Sequence, residues 1–140
     1  MKTLTKLIRY HRYLVDEKRR EVKELEERAV ALEQNIDRLD AQVVAERISA
    51  GETDLGSADY GGFAQASLVR RAGLIGELSE ATDAVEEARG GLLDAFAELK
   101  RYEISLDRKE ALARQSRARR DQLELDEVSL NGHRRSSTAP

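Results

Sequence analysis

Apolar side chains at the start of the chain recur in alternating steps of three and four. Leu4, Ile8, His11, Val15, Lys18, Val22, Leu25, Ala29, Leu32, Ile36, Leu39, Val43, Glu46 and Ala50 keep that spacing without a slip. Written as heptads, Ile8, Val15, Val22, Ala29, Ile36, Val43 and Ala50 occupy the a positions. Leu4, His11, Lys18, Leu25, Leu32, Leu39 and Glu46 occupy the d positions. The spacing predicts one helix over about residues 3–50, roughly 70 Å long at 1.5 Å per residue. A seven-residue repeat held this long falls short of two full helical turns, so the seam drifts and the helix must supercoil left-handedly around a partner. Asp16 before Arg20 and Glu24 before Arg28 are acid-before-base pairs one turn apart, each worth a few tenths of a kcal/mol.

A second repeat follows, longer and less regular, predicting a helix over about residues 62–130. Leu68, Ile75, Leu78, Val85, Leu92, Phe96, Leu99, Leu106 and Ala113 carry it; Arg89, Glu103 and Glu110 interrupt it. Ala81, Ala88, Ala95 and Tyr102 widen the stripe. Gly73, Gly76 and the pair Gly90 and Gly91 lie inside, each costing about 1 kcal/mol against alanine in a helix. Two readings are open: packing or close approach of small residues accommodates them, or they form a flexible point. The heptad phase passes both groups unbroken, which favours the first. The stretch 51–61 collects Gly51, Gly56, Gly61 and residue types that leave helices readily, and predicts a bend. Two heptad segments joined by about ten residues fold back as an antiparallel coiled-coil hairpin, an all-α fold in which the second helix overhangs by about 20 residues, roughly 30 Å. The whole is expected to be a single domain over residues 1–130. His11 and Lys18 at d positions predict a seam that loosens toward the chain termini, and residues 131–140, polar with an Asn-Gly pair, read as a disordered tail.

Composition narrows the chemistry. The 140 residues hold no cysteine, no tryptophan and a single proline, at the last position, so no interior position forbids a helix. Absent cysteine removes disulfides, thiolate zinc sites and cysteine catalysis, and two histidines supply a metal site poorly. No phosphate-cradling loop, zinc-protease helix, calcium loop or nucleophile elbow occurs. Carboxylates abound, but a solvated pair of helices walls off no pocket in which their pKa values could be raised. The expectation is therefore a non-enzymatic protein with no catalytic residues, metal or cofactor and no small-molecule substrate. No run of about 18 apolar residues is present, and the first residues lack a signal peptide's apolar core, which points to the cytoplasm.

The net charge of −3 conceals a segregation by sign. Residues 1–23 hold eight Lys/Arg against three acids, net +5; residues 24–99 hold six against 17, net −11; residues 100–140 hold ten against seven, net +3. In a hairpin both basic stretches lie at the open end and the acidic stretch surrounds the bend. A solvated face explains most charged helices, but not sorting by sign along the length, so the basic end suits an acidic partner or membrane surface. A basic leucine zipper is a decoy here. Lys18, Arg19 and Arg20 precede Leu25, Leu32 and Leu39, yet Ile8 and Val15 carry the coiled-coil repeat through the basic stretch, and Asp16, Glu17 and Glu21 sit within it. No nucleic acid is expected. Tyr60 and Phe63, where the bend becomes the second helix, either cap the seam or offer a partner an aromatic anchor.

Several stretches resemble the bacterial flagellar export protein family FliJ. They are Lys2-Thr-Leu-Thr-Lys-Leu7-Ile8-Arg9 with Val15-Asp16-Glu17-Lys18-Arg19-Arg20, then Tyr60-Gly-Gly-Phe63-Ala, Phe96-Ala-Glu-Leu-Lys-Arg-Tyr-Glu-Ile104 and Gln122-Leu-Glu-Leu-Asp-Glu127. The resemblance covers nearly the whole chain. It implies a cytoplasmic component of the flagellar type III export apparatus, peripheral at the inner membrane. Family members look like the stalk of rotary ATPases, sit in the central hole of the hexameric export ATPase, contact the export gate protein in the membrane, and are linked to export chaperones. By this resemblance Tyr60 and Phe63 match an aromatic pair at the gate-contacting surface; beyond them this chain has Arg70 and Arg71 where members can carry apolar residues. Charge and location assign Lys18, Arg19, Arg20, Lys100 and Arg101 to the ATPase-facing end. The competing expectations are a coiled-coil scaffold and the homologous stalk of a virulence secretion system.

Overall fold

A computed structural model gives the backbone of residues 2–52 and 54–138 and the side chains of residues 2–52 and 60–137. It is all-α. Helix α1 runs Lys2–Gly51 and helix α2 Asp54–Thr138, 50 and 85 residues respectively, so the second is the longer, and the two pack against each other. By contacts the chain divides into two compact units, residues 1–12 with 97–140 and residues 13–96, where the repeat alone predicts one domain. Each unit takes a piece of both helices.

In the larger unit, Val15, Val22, Leu32, Ile36, Leu39 and Ala50 of α1 are buried, with Ala29, Leu25 and Val43 half-buried. These are the heptad positions read from the sequence. Direction is fixed by two ion pairs between the helices: Arg71 donates to Asp40 at 2.8 Å, and Arg89 donates to Glu26 at 2.8 Å. Partners rise along α2 as they fall along α1, so the helices are antiparallel, in the register expected for a fold-back near residue 56 to within about a turn. Both pairs are exposed and stabilise little on their own. Arg89, an interruption in the sequence pattern, lies off the seam and reaches across it.

Near the bend the face that α2 buries shifts by one position from the expected stripe, which holds further on at Leu78, Val85 and Leu92. Leu68 is 64% exposed and Ile75 44% exposed, whereas Ser67, Ala81, Val85 and Ala88 are buried and Leu74, Leu78 and Leu92 half-buried. Of the residues that widen the stripe, Ala81 and Ala88 are themselves buried. Small side chains at Ser67, Ala81 and Ala88 let α2 approach the β-branched and leucine side chains of α1, and the larger Leu68 and Ile75 turn outward in consequence.

In the smaller unit, Leu4 and Ile8 of α1 and Leu99 of α2 are buried. His11 stacks on Tyr102, ring centroids 4.6 Å apart and 27° between planes, while Tyr10 meets His11 edge-on at 5.5 Å. Arg12 pairs with Glu103 at 3.6 Å. The expected loosening does not appear in either unit: Ile8 is 4% and Val15 2% exposed. A ring stack occupies the His11 level, and at Lys18 the aliphatic stem lies half-buried while its ammonium reaches Glu21 at 3.6 Å, so neither polar residue opens the seam.

The bend is shorter than the expected 51–61. Helix α1 ends at Gly51, Glu52 donates its N–H to the Ser49 carbonyl at 3.2 Å, and Tyr60, Gly61 and Gly62 already belong to α2. Thr53 lies outside the described residues. Half-burial of Tyr60, Phe63 and Ala64 in grooves shared with α1 offsets the poor helix propensity of this stretch. At the other end α2 continues through the expected disordered tail to Thr138, with residues 139 and 140 outside the description. Ser136 and Ser137 donate to the carbonyls of His133 and Arg134, at 2.9 and 3.0 Å, so the polar side chains bond into their own helix. Residues 114–137 are exposed throughout.

No described glycine has positive φ, and a Cβ at Gly73, Gly76 or Gly90 would meet nothing within 4 Å; one at Gly91 would lie 4.0 Å from Lys18 Nζ. Close approach of the helices therefore does not explain these glycines. Replacing Gly73 and Gly76 by alanine should raise stability by about 1 kcal/mol each, read as a higher midpoint in urea unfolding; a lower midpoint would contradict the open space found here. For the antiparallel pairing, cysteines at Glu26 and Arg89 should be bridged within one chain by a short bismaleimide. Crosslinks found only between chains would refute it.

Candidate partner-binding surfaces

The five basic residues assigned from the sequence fall in different units. Lys18, Arg19 and Arg20 belong to the larger, Lys100 and Arg101 to the smaller. Each meets an acid three residues away on its own helix: Lys18 with Glu21 at 3.6 Å, Arg19 with Asp16 at 3.8 Å, Arg20 with Glu17 at 2.6 Å, Lys100 with Glu103 at 3.2 Å and Arg101 with Glu98 at 3.2 Å. Exposed pairs of this kind hold on the order of 0.5 kcal/mol and open readily to a competing carboxylate.

Basic residues with no such partner are more numerous elsewhere. In the smaller unit Lys2, Lys6 and Arg9 recur at i, i+4 and i+7, on the face of α1 away from buried Leu4 and Ile8, and among the described residues none forms an ion pair. Further along α2 the stretch 111–120 contains Arg114, Arg117, Arg119 and Arg120 and no acid. Arg117 donates to the Ala113 carbonyl at 3.4 Å; Arg114, Arg119 and Arg120 are exposed and form no ion pair among the described residues. Four arginines in seven residues are legible in the sequence. Their prominence was masked by seven acids elsewhere in residues 100–140, which reduce the regional sum to +3.

Tyr60 and Phe63 are both half-buried and line different grooves. Leu39 and Ser67, 7% and 6% exposed, form a wall between two grooves of the larger unit. On one side Tyr60 lines a groove with Val43, Ala64 and Leu68, closed by the Arg71–Asp40 pair. On the other, Phe63 lies with Arg38 and Arg70. The hydrogen bond and charge of Asp40 raise the pKa of Arg71 above its ordinary value, and a second contact to the same carboxylate, at 3.4 Å, makes the pair two-pronged. The consecutive arginines thus serve different ends: Arg71 ties α2 to α1, and Arg70 faces the opposite groove.

Among the described residues no cluster of three or more His, Asp or Glu could hold a metal ion, and no helix is long and apolar enough to cross a membrane. What the geometry offers is exposed, charged and grooved helix surface, suited to other proteins.

A family profile described as "Flagellar FliJ protein" matches residues 1–138. Two curated relatives, each named "Flagellar FliJ protein", come from Caulobacter vibrioides strains NA1000 / CB15N and ATCC 19089 / CIP 103742 / CB 15. Each is 30% identical over 125 residues, which is 89% of this chain and 89% of the relative. No solved structure matches the chain. Profile and relatives agree over nearly the full length, covering both helices and both units: the chain belongs to the FliJ family of flagellar export components.

Proposed function

We propose that this chain acts as the stalk and adaptor of the flagellar export ATPase, working without catalysis at the cytoplasmic face of the inner membrane. One part of it enters the ATPase hexamer while the aromatic grooves face the export gate, and export chaperones are further partners. The observation that carries the ATPase half is the stretch 114–137 of α2, exposed along its whole length and opening on four arginines without an acid. A helix with no intramolecular cover whose first two turns carry only positive charge suits insertion into an assembly whose lining is acidic, because the attraction steers entry and nothing must first be uncovered. The paired residues Lys18, Arg19, Arg20, Lys100 and Arg101 add to this surface by exchanging weak intrahelical partners for the ATPase's carboxylates. The gate half draws on Tyr60 and Phe63, whose half-burial leaves ring area available on either side of the Leu39–Ser67 wall.

Titrating the protein against the flagellar export ATPase should promote hexamer formation and ATP hydrolysis; no change in either would end the stalk reading. Reversing Arg19, Arg20, Lys100 and Arg101 to glutamate should weaken that binding about tenfold at unchanged helicity, and reversing Arg114, Arg117, Arg119 and Arg120 should weaken it at least as much, since those charges have no ion-pair partner to release. Equal binding by both reversed proteins would remove the electrostatic basis. Tyr60→Ala and Phe63→Ala should each reduce binding to the gate protein's cytoplasmic domain, measured by titration calorimetry, and undiminished affinity would exclude the aromatic contact.

A further inference from the structure

Past residue 113 the stripe of α2 that α1 covers changes character. Arg12 pairs with Glu103, so Lys2, earlier on an antiparallel helix, stands level with about residue 113. Ala113 is accordingly the last half-buried residue of α2. Up to that level the stripe runs through Leu99, Leu106 and Ala113. Continued in the same steps of three and four, it becomes Arg117, Arg120, Glu124 and Glu127. All four are exposed, and none forms an ion pair among the described residues.

The order of these charges matters more than their number. Residues 111–120 hold four arginines and no acid, and residues 121–127 hold Asp121, Glu124, Asp126 and Glu127 and no base. Within one helix Arg120 and Glu124 stand base before acid at i,i+4, the weaker orientation, and they do not meet. Turned end for end, the stripe is its own complement. A second copy laid antiparallel, with the two-fold axis at the level of Gln122, sets Arg117 opposite Glu127 and Arg120 opposite Glu124, and symmetry forms each pair twice. Leu123, 64% exposed at one edge of the stripe, then lies beside the axis and meets the same residue of the second copy. A parallel copy would instead set arginine on arginine and glutamate on glutamate, and a wholly acidic partner would match the first two charges and repel the last two.

The uncovered length also suits a second copy. Residues 113–131 extend about 27 Å past the start of α1. In this register residue 131 of the second copy arrives at the level where α1 begins, and a helix crossing of about 20–50° carries its remaining residues to one side of α1.

We propose that two copies of this chain pair antiparallel through residues 113–131 of α2, held by Arg117–Glu127 and Arg120–Glu124 ion pairs between the copies. The contact is short and its ion pairs are open to water, so the dissociation constant falls at about 10–100 µM in low salt. Pairing and insertion into the ATPase are alternative uses of one segment. The proposal does not rest on the ATPase reading, and its test uses this chain alone, so failure of either leaves the other measurable.

The test is sedimentation equilibrium of the full chain from about 5 to 500 µM. The parent should pass from monomer to dimer, with the dissociation constant rising about tenfold between about 50 and 500 mM salt. Arg117→Glu with Arg120→Glu makes the stripe wholly acidic, and Glu124→Arg with Glu127→Arg makes it wholly basic. Each variant alone should remain monomeric, and the two mixed one to one should dimerise at least as tightly as the parent. That rescue requires both variants to be folded, so unfolding does not imitate the result. A nitroxide on Lys109→Cys, in a chain with no other cysteine, should lie about 40 Å from its counterpart in the dimer, against under about 25 Å for parallel copies. A parent that stays monomeric throughout, association unchanged by either reversal, no pairing in the mixture, or the short nitroxide separation would each overturn the proposal.

Discussion

The rest of this structure depends on one line of contact, where β-branched and leucine side chains of α1 meet a row of small ones on α2. Val15, Val22, Ile36 and Leu39 are large and buried, and the residues opposing this face include Ser67, Ala81 and Ala88. Neither helix could stand alone in water as a folded element with an apolar stripe exposed, and neither has a second core to bury. The alternation of large against small lets the two helices bury that single line. It also dictates which side chains are left over. Once Ser67 and Ala88 are inward, Leu68, Ile75 and Arg89 are outward, and the outer surface becomes whatever those neighbours make it.

Electrostatics then acts on that outer surface without deciding the fold. The ion pairs between helices, Asp40 with Arg71, Glu26 with Arg89 and Arg12 with Glu103, are exposed or, at Glu103, half-buried, and their contribution to stability is small beside burial of the seam. Their effect is on register and on supply. A cation held across the seam is withdrawn from the surface, so those with no ion pair among the described residues, Arg38 and Arg70 in a groove and Arg114, Arg119 and Arg120 along α2, become the distinctive features of a chain whose net charge is only −3. Near-neutrality is cancellation both between stretches and within them.

The same division accounts for the polar residues at core positions. His11 is covered by Tyr102 and Tyr10, and Lys18 lays its stem along the seam and keeps its charge with Glu21. An apolar pattern read strictly by residue type treats both as defects. Packed, they are filled levels, because an imidazole ring stacks and a lysine stem is mostly hydrocarbon.

By itself the sequence determined that two long helices pair, that the second is longer, and where the buried face of the first lies, because a heptad repeat is a geometric statement about one face of one helix. The family could be read from scattered short stretches for a related reason: they sit on both helices along most of the length. Only the tertiary structure placed Ser67, Ala81 and Ala88 in the seam and turned Leu68 and Ile75 outward, since alanine and serine are neutral in a pattern and become core only when a facing helix presents larger side chains. It alone closed the expected bend to a short turn and carried α2 to Thr138, because backbone hydrogen bonding continues through glycines that nothing forces out of a helix. And it alone separated Tyr60 from Phe63 and Arg70 from Arg71. Arg70 and Arg71 stand about 100° apart around the helix and Tyr60 and Phe63 about 60°, so their partners depend on what the other helix places on either side of the seam.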